Sequence, residues 1–586
     1  MNIRGIDEIV DTEVLVIGGG FAGCIAALKC GALGKKVVVA EKGYVSICQS
    51  RWPGGNISVR IPGEDKDIWM KEFIVGGEYL NNQEWVRIQL EETYPLLDEL
   101  DRWGKEFKEN ILERDKKGEL LRVKVHGDIN TQQCVLNGGA MMDTLRKKLI
   151  RDKVGFFDRM MMSDLITDGD RVQGAVGFDY RQGKTYLFKA KAIILAAAGC
   201  SFRLDLTRLH MTGEGQVMAY EAGAKLKNLD QCEAKPLPLY SARIRGGFPT
   251  DVSSGARWLN GLGEEFMWKY DPVVGNRSNY RAEAFRQEVA AGRGPIYWDY
   301  TPIPLEKQEM YNRISPVYIK IFEVMGVKLF EEKVDITKRD FEHIPSAPQS
   351  CSSGGGVDIN TSCASSIKGL YAIGDNSSCP HQGTHPFGGQ NLAFCLTSGN
   401  RAAQGASEYV GSFVSSSEKA ISDQAKEHVN RLSIPLTRTE GLMPQEVTWK
   451  IQTILTPYRM TLTRKEPLEK ALNEIIKVRE EDFPRLRAPD PHELMHALGV
   501  RSMLVIAEAI LRSNLFREET RGKNIRDDFP LSDNINWLKW IVLEKKGKEM
   551  KISTEDVSTP YIQAPKDKYA PKRKPSDLVN PIIKTW

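Results

Sequence analysis

Three glycines mark the first segment of the chain able to do chemistry. Gly18, Gly20 and Gly23 stand in GxGxxG spacing: the first permits a tight turn, the second lets a pyrophosphate reach the backbone, and the third lets helix and strand pack closely. Phosphates then lie at a helix N-terminus, where free amides and the dipole favour anions. Glu41 closes the apolar run KKVVVAE. A carboxylate there accepts hydrogen bonds from both ribose hydroxyls of an adenosine and repels a 2′-phosphate, which suits FAD or NAD and excludes NADP. A second group combines Asp375, at the end of GLYAIGD, with Gly389, Asn391 and Leu392 in PFGGQNLAF. Here a glycine pair opens an apolar helix, and a helix dipole aimed at an anionic flavin ring favours FAD over NAD. A third group, His492, Glu493 and His496 in HELMH, has the two-histidine spacing of a helical zinc site. It lacks an evident third ligand, so no metal is expected.

The elements that must hold these residues are legible around them. EVLVI at 13–17 reads as a short buried strand, CIAALKCGALG as a helix with small residues toward a sheet, and KKVVVAE as a second strand, which together make one βαβ unit. AKAIILAAAG at 190–199, ending on Ala198 and Gly199, and GLYAIGD at 369–375 repeat the strand-then-glycine pattern. The chain therefore leaves a nucleotide domain, builds something else and returns. The fold class expected is α/β, a Rossmann-like FAD-binding domain in two parts (1–235 and 349–437). An α+β capping domain is inserted at 236–348, a helical domain follows at 438–545, and an extended proline- and lysine-rich arm closes the chain at 546–586.

With 586 residues, 41% hydrophobic and 27% charged, the chain has an ordinary globular composition. A formal net charge of only +4 gives no uniform basic field for nucleic acid. None of the ten cysteines forms a CxxC pair, so the chain is expected to ligate neither an iron–sulfur cluster nor structural zinc. The N-terminus shows no signal h-region, and the apolar stretches read as shorter than the ~20 residues of a membrane span. A cytoplasmic protein without membrane insertion is expected.

VIGGGFAGCIAALKCGALGKKVVVAEK, TGEGQVMAYEAGAKL at 212–226, AAGRGPIYWD at 290–299, GLYAIGD, GGQNL and REETRGKNIRDDFPLSDNINWLK at 517–539 resemble, in order, the flavoprotein subunits of the succinate dehydrogenase and fumarate reductase family. The resemblance implies FAD, a capping domain over the flavin and a C-terminal helical domain. Gly54 and Gly55 match a flavin-side glycine pair, and Lys42, Ala198 and Gly199 fall on the cofactor side of the motifs. Succinate dehydrogenases attach FAD through a histidine whose place is taken here by Cys48, so noncovalent FAD is expected.

The resemblance does not carry over the active site. Where fumarate reductases have a histidine in HPTG, a second histidine before a glycine pair, and an arginine in NRLGG, this chain has Lys235, Cys351 and Pro386. The proton-donating arginine has no clear counterpart, Arg257 falling beyond a gap. Without two guanidinium clamps a dicarboxylate loses its bidentate partners. SGARW and GRGPIYWD are similar to segments of the alpha chain of adenylylsulfate reductase, although the active-site residues of that enzyme are not all matched. Lys235, Cys351, His381 and His385 are the catalytic candidates, with Arg243 and Arg245 as further pocket cations. The expectation is an FAD-dependent oxidoreductase that works on a small anionic substrate. It would exchange electrons with a ferredoxin-like iron–sulfur partner in a hetero-oligomer. The alternatives are an enzyme like the adenylylsulfate reductase alpha chain, a fumarate reductase or succinate dehydrogenase flavoprotein, and a noncatalytic FAD electron relay.

Overall fold

A computed structural model describes residues 5–51, 55–125, 127–205, 208–236, 255–278, 281–314, 316–324, 326–336, 346–349, 355–384, 387–458 and 462–569. Gly54, Arg243, Arg245, Cys351, His385 and Pro386 lie outside the described residues, and Lys235 is described by its backbone alone.

Strand β1 (Glu8–Ile17) is longer than its apolar stretch because it runs parallel to the long strand Thr185–Leu195 from Glu8↔Tyr186 to Ile17↔Leu195. Val14–Ile17 are buried, as befits a parallel strand covered on both faces. On the other edge β1 pairs in parallel with β2 (Val37–Ala40), which pairs with Gly155–Phe157. The Thr185–Leu195 strand shares its second edge. Thr185–Lys189 pair with Arg171–Asp179, whereas Ile193–Leu195 pair with Leu370–Ala372. The late GLYAIGD strand thus returns to the first sheet, beside the strand that leads into Ala196–Gly199.

Helix α1 (Phe21–Ala32) joins β1 to β2. Its small residues allow close approach: a Cβ on Gly399 of the Gln390–Val410 helix would lie 2.9 Å from the Ala22 carbonyl oxygen. The helices entering the site from the two halves of the chain therefore touch directly.

The capping lobe has its own core, in which Trp258 stacks on Trp298 at 5.9 Å and meets Phe285 at 4.7 Å. A three-stranded sheet of Arg257–Leu259, Tyr297–Asp299 and Lys333–Asp335 supports it. The two crossings into this lobe, Glu233–Pro236 and Ser346–Gln349, run antiparallel with Lys235 opposite Ala347, shortly before Cys351.

The C-terminal region differs from its sequence reading in two ways. Pro491–Phe516 is a continuous 26-residue helix apolar enough to cross a membrane, yet most of its side chains are packed within the protein's own core. In addition, Glu549–Asp556, expected within the extended arm, is a strand. It pairs with Lys539–Lys546, which pairs with Leu226–Lys227, and with Gly356–Val357 these make a separate four-stranded sheet. Beyond it, Tyr561 and Ile562 donate backbone N–H groups to Gln83 Oε1 at 2.9 and 3.0 Å, and Lys568–Tyr569 pair with Ser532–Asp533.

Candidate functional site

The three motif glycines are glycines for different reasons. Gly18 has φ +111°, and a Cβ there would overlap the Ala196 carbonyl oxygen; a Cβ on Gly23 would overlap Gly18 O. Gly20, the N-cap of α1, has an ordinary φ of −75°, and its nearest neighbour would be Cys48 Sγ at 3.8 Å. Nothing among the described residues demands glycine at position 20, so the space before it suits a close-approaching ligand. The first turn of α1 carries no acidic residue, which leaves its amides and dipole for an anion.

Glu41 follows β2 and accepts from the Gly19 and Gly43 backbone N–H groups, each at 2.6 Å. Burial pushes its carboxyl above the usual range, and these two donors oppose the shift. Each oxygen retains acceptor capacity for ribose hydroxyls. The adjacent Lys42 is committed elsewhere: its Nζ lies 2.9 Å from Glu214 Oε1 and 3.0 Å from Thr212 Oγ1. Burial works against the Glu214 carboxylate, but Lys42 and Thr212 carry it below its ordinary value. Lys42 therefore ties β2 to the TGEG turn.

Opposite this end, Ala198 adopts φ +57°, a conformation rare for a residue with a side chain, at the turn after the Thr185–Leu195 strand and beside Gly199. Asp375 Oδ1 accepts from Asn391 Nδ2 at 2.8 Å, linking the acid of GLYAIGD to the first turn of the Gln390–Val410 helix. Gly389 caps that helix at φ +73°, and Leu392 is buried in its first turn. Gly55 has φ +72°, and its carbonyl accepts from Leu136 N at 2.7 Å.

Around these elements several buried polar atoms have no partner among the described residues: both amide atoms of Asn376 and of Gln390, Ser46 Oγ, Ser58 Oγ and Gln133 Oε1. Each such atom costs about 1–3 kcal/mol when left unsatisfied. The fit to a flavin dinucleotide rests on groups that keep some surface at the two strand ends: the Glu41 carboxylate, the open first turn of α1 beside Gly20, and Asp375 with Asn391 at the start of the Gln390–Val410 helix. Gln133, Asn376 and Ser58 escape a reading of the sequence because no spacing rule marks them; Gln390 lies inside the GGQNL segment, where nothing singles it out.

Of the catalytic candidates, only His381 has its side chain described. It is buried, with its ring stacked on Phe394 at 4.2 Å and its carbonyl accepting from Asn81 Nδ2 at 2.8 Å. That surface of the ring is taken up by packing. Arg257 pairs with Asp299 at 2.7 Å inside the capping sheet.

His492, Glu493 and His496 do share one helix face, with ligand atoms within 4.8 Å of one another. Arg203 Nη1, however, lies 2.7 Å from His496 Nδ1. A guanidinium only donates, so Nδ1 accepts and the ring proton resides on Nε2, which leaves no lone pair for a metal. Burial, with Arg203 next, drives the His496 imidazole down to about 3, and the nearby positive charge further opposes a cation.

Cys48, which the family resemblance sets against a flavin-attaching histidine, has its thiol pushed up to about 11 by burial. A thiol that stays protonated at neutral pH is a poor nucleophile. Acid precipitation of the purified protein should therefore release FAD to the supernatant; yellow colour kept by the pellet would contradict noncovalent binding.

The comparisons agree with this geometry. The chain matches the FAD binding domain family over residues 13–392 and the fumarate reductase flavoprotein C-terminal family over 449–574. It is 28% identical over 562 residues to one of the subunits of the fumarate reductase (CoM/CoB) of Methanothermobacter marburgensis, covering 92% of this chain and 98% of that one. It is 26% identical over 584 residues to a fumarate reductase flavoprotein subunit of Mycobacterium tuberculosis, covering 91% and 95%. Among solved structures, quinol fumarate reductase of E. coli aligns with a TM-score of 0.83 at 20% identity, over 95% of this chain and 99% of that one. Adenylylsulfate reductase of Archaeoglobus fulgidus aligns with 0.77 at 19% identity, over 96% and 98%. A cradle that fits a flavin dinucleotide, built from both halves of a divided α/β domain and matched by family along most of the chain, identifies the protein as an FAD-dependent oxidoreductase of the fumarate reductase and succinate dehydrogenase flavoprotein family.

Proposed function

We propose that this flavoprotein is one component of a redox complex, in which a small anionic substrate reacts between the flavin and the capping lobe and electrons pass to an iron–sulfur partner. FAD supplies hydride and single-electron transfer; the chain supplies binding, orientation and charge. The observation that carries the reading is the pair of crossings into the capping lobe. They bring Lys235 opposite Ala347, four residues before Cys351 in the sequence; Lys235 and Cys351 are the two positions aligned with the family's catalytic histidines. A lysine there offers a cation for an anionic substrate, and Cys351, or His385 in the glycine-pair loop, is the candidate for moving a proton. The need for a partner is supported by the cysteines: the chain has no CxxC pair, and the nine described are free thiols. Reduced thiols also support a cytoplasmic location.

The names of the relatives favour a second reading, fumarate reduction, which the replacements at 235, 351 and 386 oppose. Purification of the native complex tests the proposal. Iron and acid-labile sulfide should co-elute with FAD, and a dye-linked screen of carboxylates and oxyanions should find turnover of an anion. A flavoprotein that elutes without iron would overturn the partner; turnover confined to uncharged compounds would overturn the substrate class.

A further inference from the structure

The chain beyond the Glu549–Asp556 strand is fastened back onto the N-terminal half. Gln83, buried at the start of the helix Gln83–Glu106, uses both ends of its amide: Oε1 accepts from Tyr561 N and Ile562 N at 2.9 and 3.0 Å, and Nε2 donates to Ile562 O at 2.7 Å. Farther on, Asn534 Nδ2 donates to Pro565 O at 2.9 Å, Lys568–Tyr569 pair with Ser532–Asp533, and the Tyr569 hydroxyl lies 3.2 Å from Glu78 Oε2. Residues 557–569 thus form a strap tied to both ends of the turn 78–83.

That turn needs outside support. Glu78 and Tyr79 are consecutive left-handed residues at φ +52° and +61°, a conformation disfavoured for residues that carry a Cβ. Arg521 Nη1 donates to Glu78 O at 3.0 Å and Trp540 Nε1 to Leu80 O at 2.7 Å. Held in this way, the turn grips a second loop. Asn82 N donates to Pro380 O at 2.7 Å, Asn81 Nδ2 to His381 O at 2.8 Å, and Thr384 N to Gly77 O at 3.2 Å. The gripped loop leads to the cofactor side: Gln382 Nε2 donates to Asn391 Oδ1, and Asn391 donates to Asp375. An apolar route runs beside the polar one. Ile562 of the strap packs against the cluster in which Phe387 stacks on Phe73 at 5.0 Å, and Phe387 closely precedes Gly389, the cap of the Gln390–Val410 helix.

We propose that the strap 557–569 is a clamp that keeps the loop 380–391 in its flavin-binding geometry, with Gln83 as the positioning residue through which it acts. The inference rests on the FAD assignment above. A loosened strap lets Glu78 and Tyr79 relax out of the left-handed region, and the hydrogen bonds to Pro380, His381 and Thr384 loosen with them. Linkage makes the effect reciprocal: FAD that fixes the loop must tighten the strap by the same factor.

The wild-type protein tests this without any variant that might misfold. FAD added to the apoprotein should slow hydrogen exchange at Asn82 and Thr384, and also about tenfold at Tyr561 and Ile562, whose N–H groups end on Gln83. Gln83→Met keeps the volume of the side chain and removes its bonds to the strap. FAD affinity should then fall about tenfold, a coupling of ordinary size, with a shifted flavin absorption spectrum, and FAD should no longer slow exchange at Tyr561 and Ile562. Ile562→Ala leaves the backbone bonds in place and should weaken FAD through the Phe387 route. Gln563→Ala, whose side chain bonds only Thr559 within the strap, should leave FAD affinity unchanged. Slowed exchange at Thr384 with none at Tyr561 and Ile562, or a Gln83→Met protein of lowered unfolding midpoint but wild-type FAD affinity and spectrum, would overturn the proposal. A wild-type chain that binds no FAD would instead strike at the FAD assignment.

Discussion

Gly20→Val is expected to give a folded protein that carries no flavin. The valine side chain has room, the nearest atom to its Cβ being Cys48 Sγ at 3.8 Å, and φ −75° suits any residue. It would, however, occupy the space through which a pyrophosphate reaches the α1 amides. Losing that contact should weaken FAD binding at least roughly a hundredfold, about 3 kcal/mol, while the apoprotein's circular dichroism and unfolding midpoint stay near those of wild-type apoprotein. Gly23→Val is the contrast: its Cβ would overlap Gly18 O, a backbone atom that cannot move aside, so this variant should fail to accumulate as folded protein. Flavin retained by Gly20→Val, measured by absorbance after gel filtration, would show that the cradle is not the phosphate site.

The second large effect concerns REETRGKNIRDD, which lies within the 517–539 segment that resembles the family. It acts as a buried ionic clamp between the C-terminal region and the FAD domain. Arg517 is fully buried: its Nε meets Asp230 at 2.7 Å, Nη1 meets Glu519 at 2.6 Å, and the guanidinium also reaches the carbonyls of Trp537 and Lys539. Arg521 grips both oxygens of Glu519 and donates to the Glu78 carbonyl at 3.0 Å. Arg517→Met would strip the guanidinium from Asp230 and Glu519 in a dry interior, a change worth about 3–5 kcal/mol against the native state. The urea midpoint of the holoprotein should fall accordingly, and Arg517→Lys should recover only part of it, since one ammonium cannot replace a planar fork. An unchanged midpoint in both variants would remove the clamp.

What the sequence disclosed follows from how local each feature is. The GxGxxG turn, α1 and Glu41 lie within one βαβ unit, where spacing alone dictates which amides meet a phosphate and which carboxylate meets a ribose. The return of GLYAIGD to the same sheet was legible for a similar reason, because a strand ending on an acid beside glycine is useless away from the cofactor. Features settled by distant partners were not legible. The ion pair of Lys42 with Glu214, far along the chain, is announced by no local pattern around Lys42. His492 and His496 keep their zinc-like spacing, but the proton position on His496 is fixed by Arg203, nearly half the chain away. Gln133 sits in a three-residue strand with no periodicity to reveal that Asp128 takes one end of its amide and leaves the other beside Gly389. The arm reading fails over Glu549–Asp556 because a short, mostly polar edge strand with only Met550 and Ile552 apolar resembles a solvated tail until the pairing with Lys539–Lys546 is seen.

The central claim is that a family flavin site serves chemistry other than that of a four-carbon dicarboxylate. The direct measurement is steady-state turnover of the FAD-loaded native complex with fumarate and reduced viologen, and with succinate and an oxidised dye. Rates at or near the enzyme-free background are predicted for both, on the proposal that Lys235, Cys351 and Pro386 replace the histidines and arginine expected from the family resemblance. Turnover on the order of 10 per second, ordinary for an enzyme with its own substrate, would contradict it.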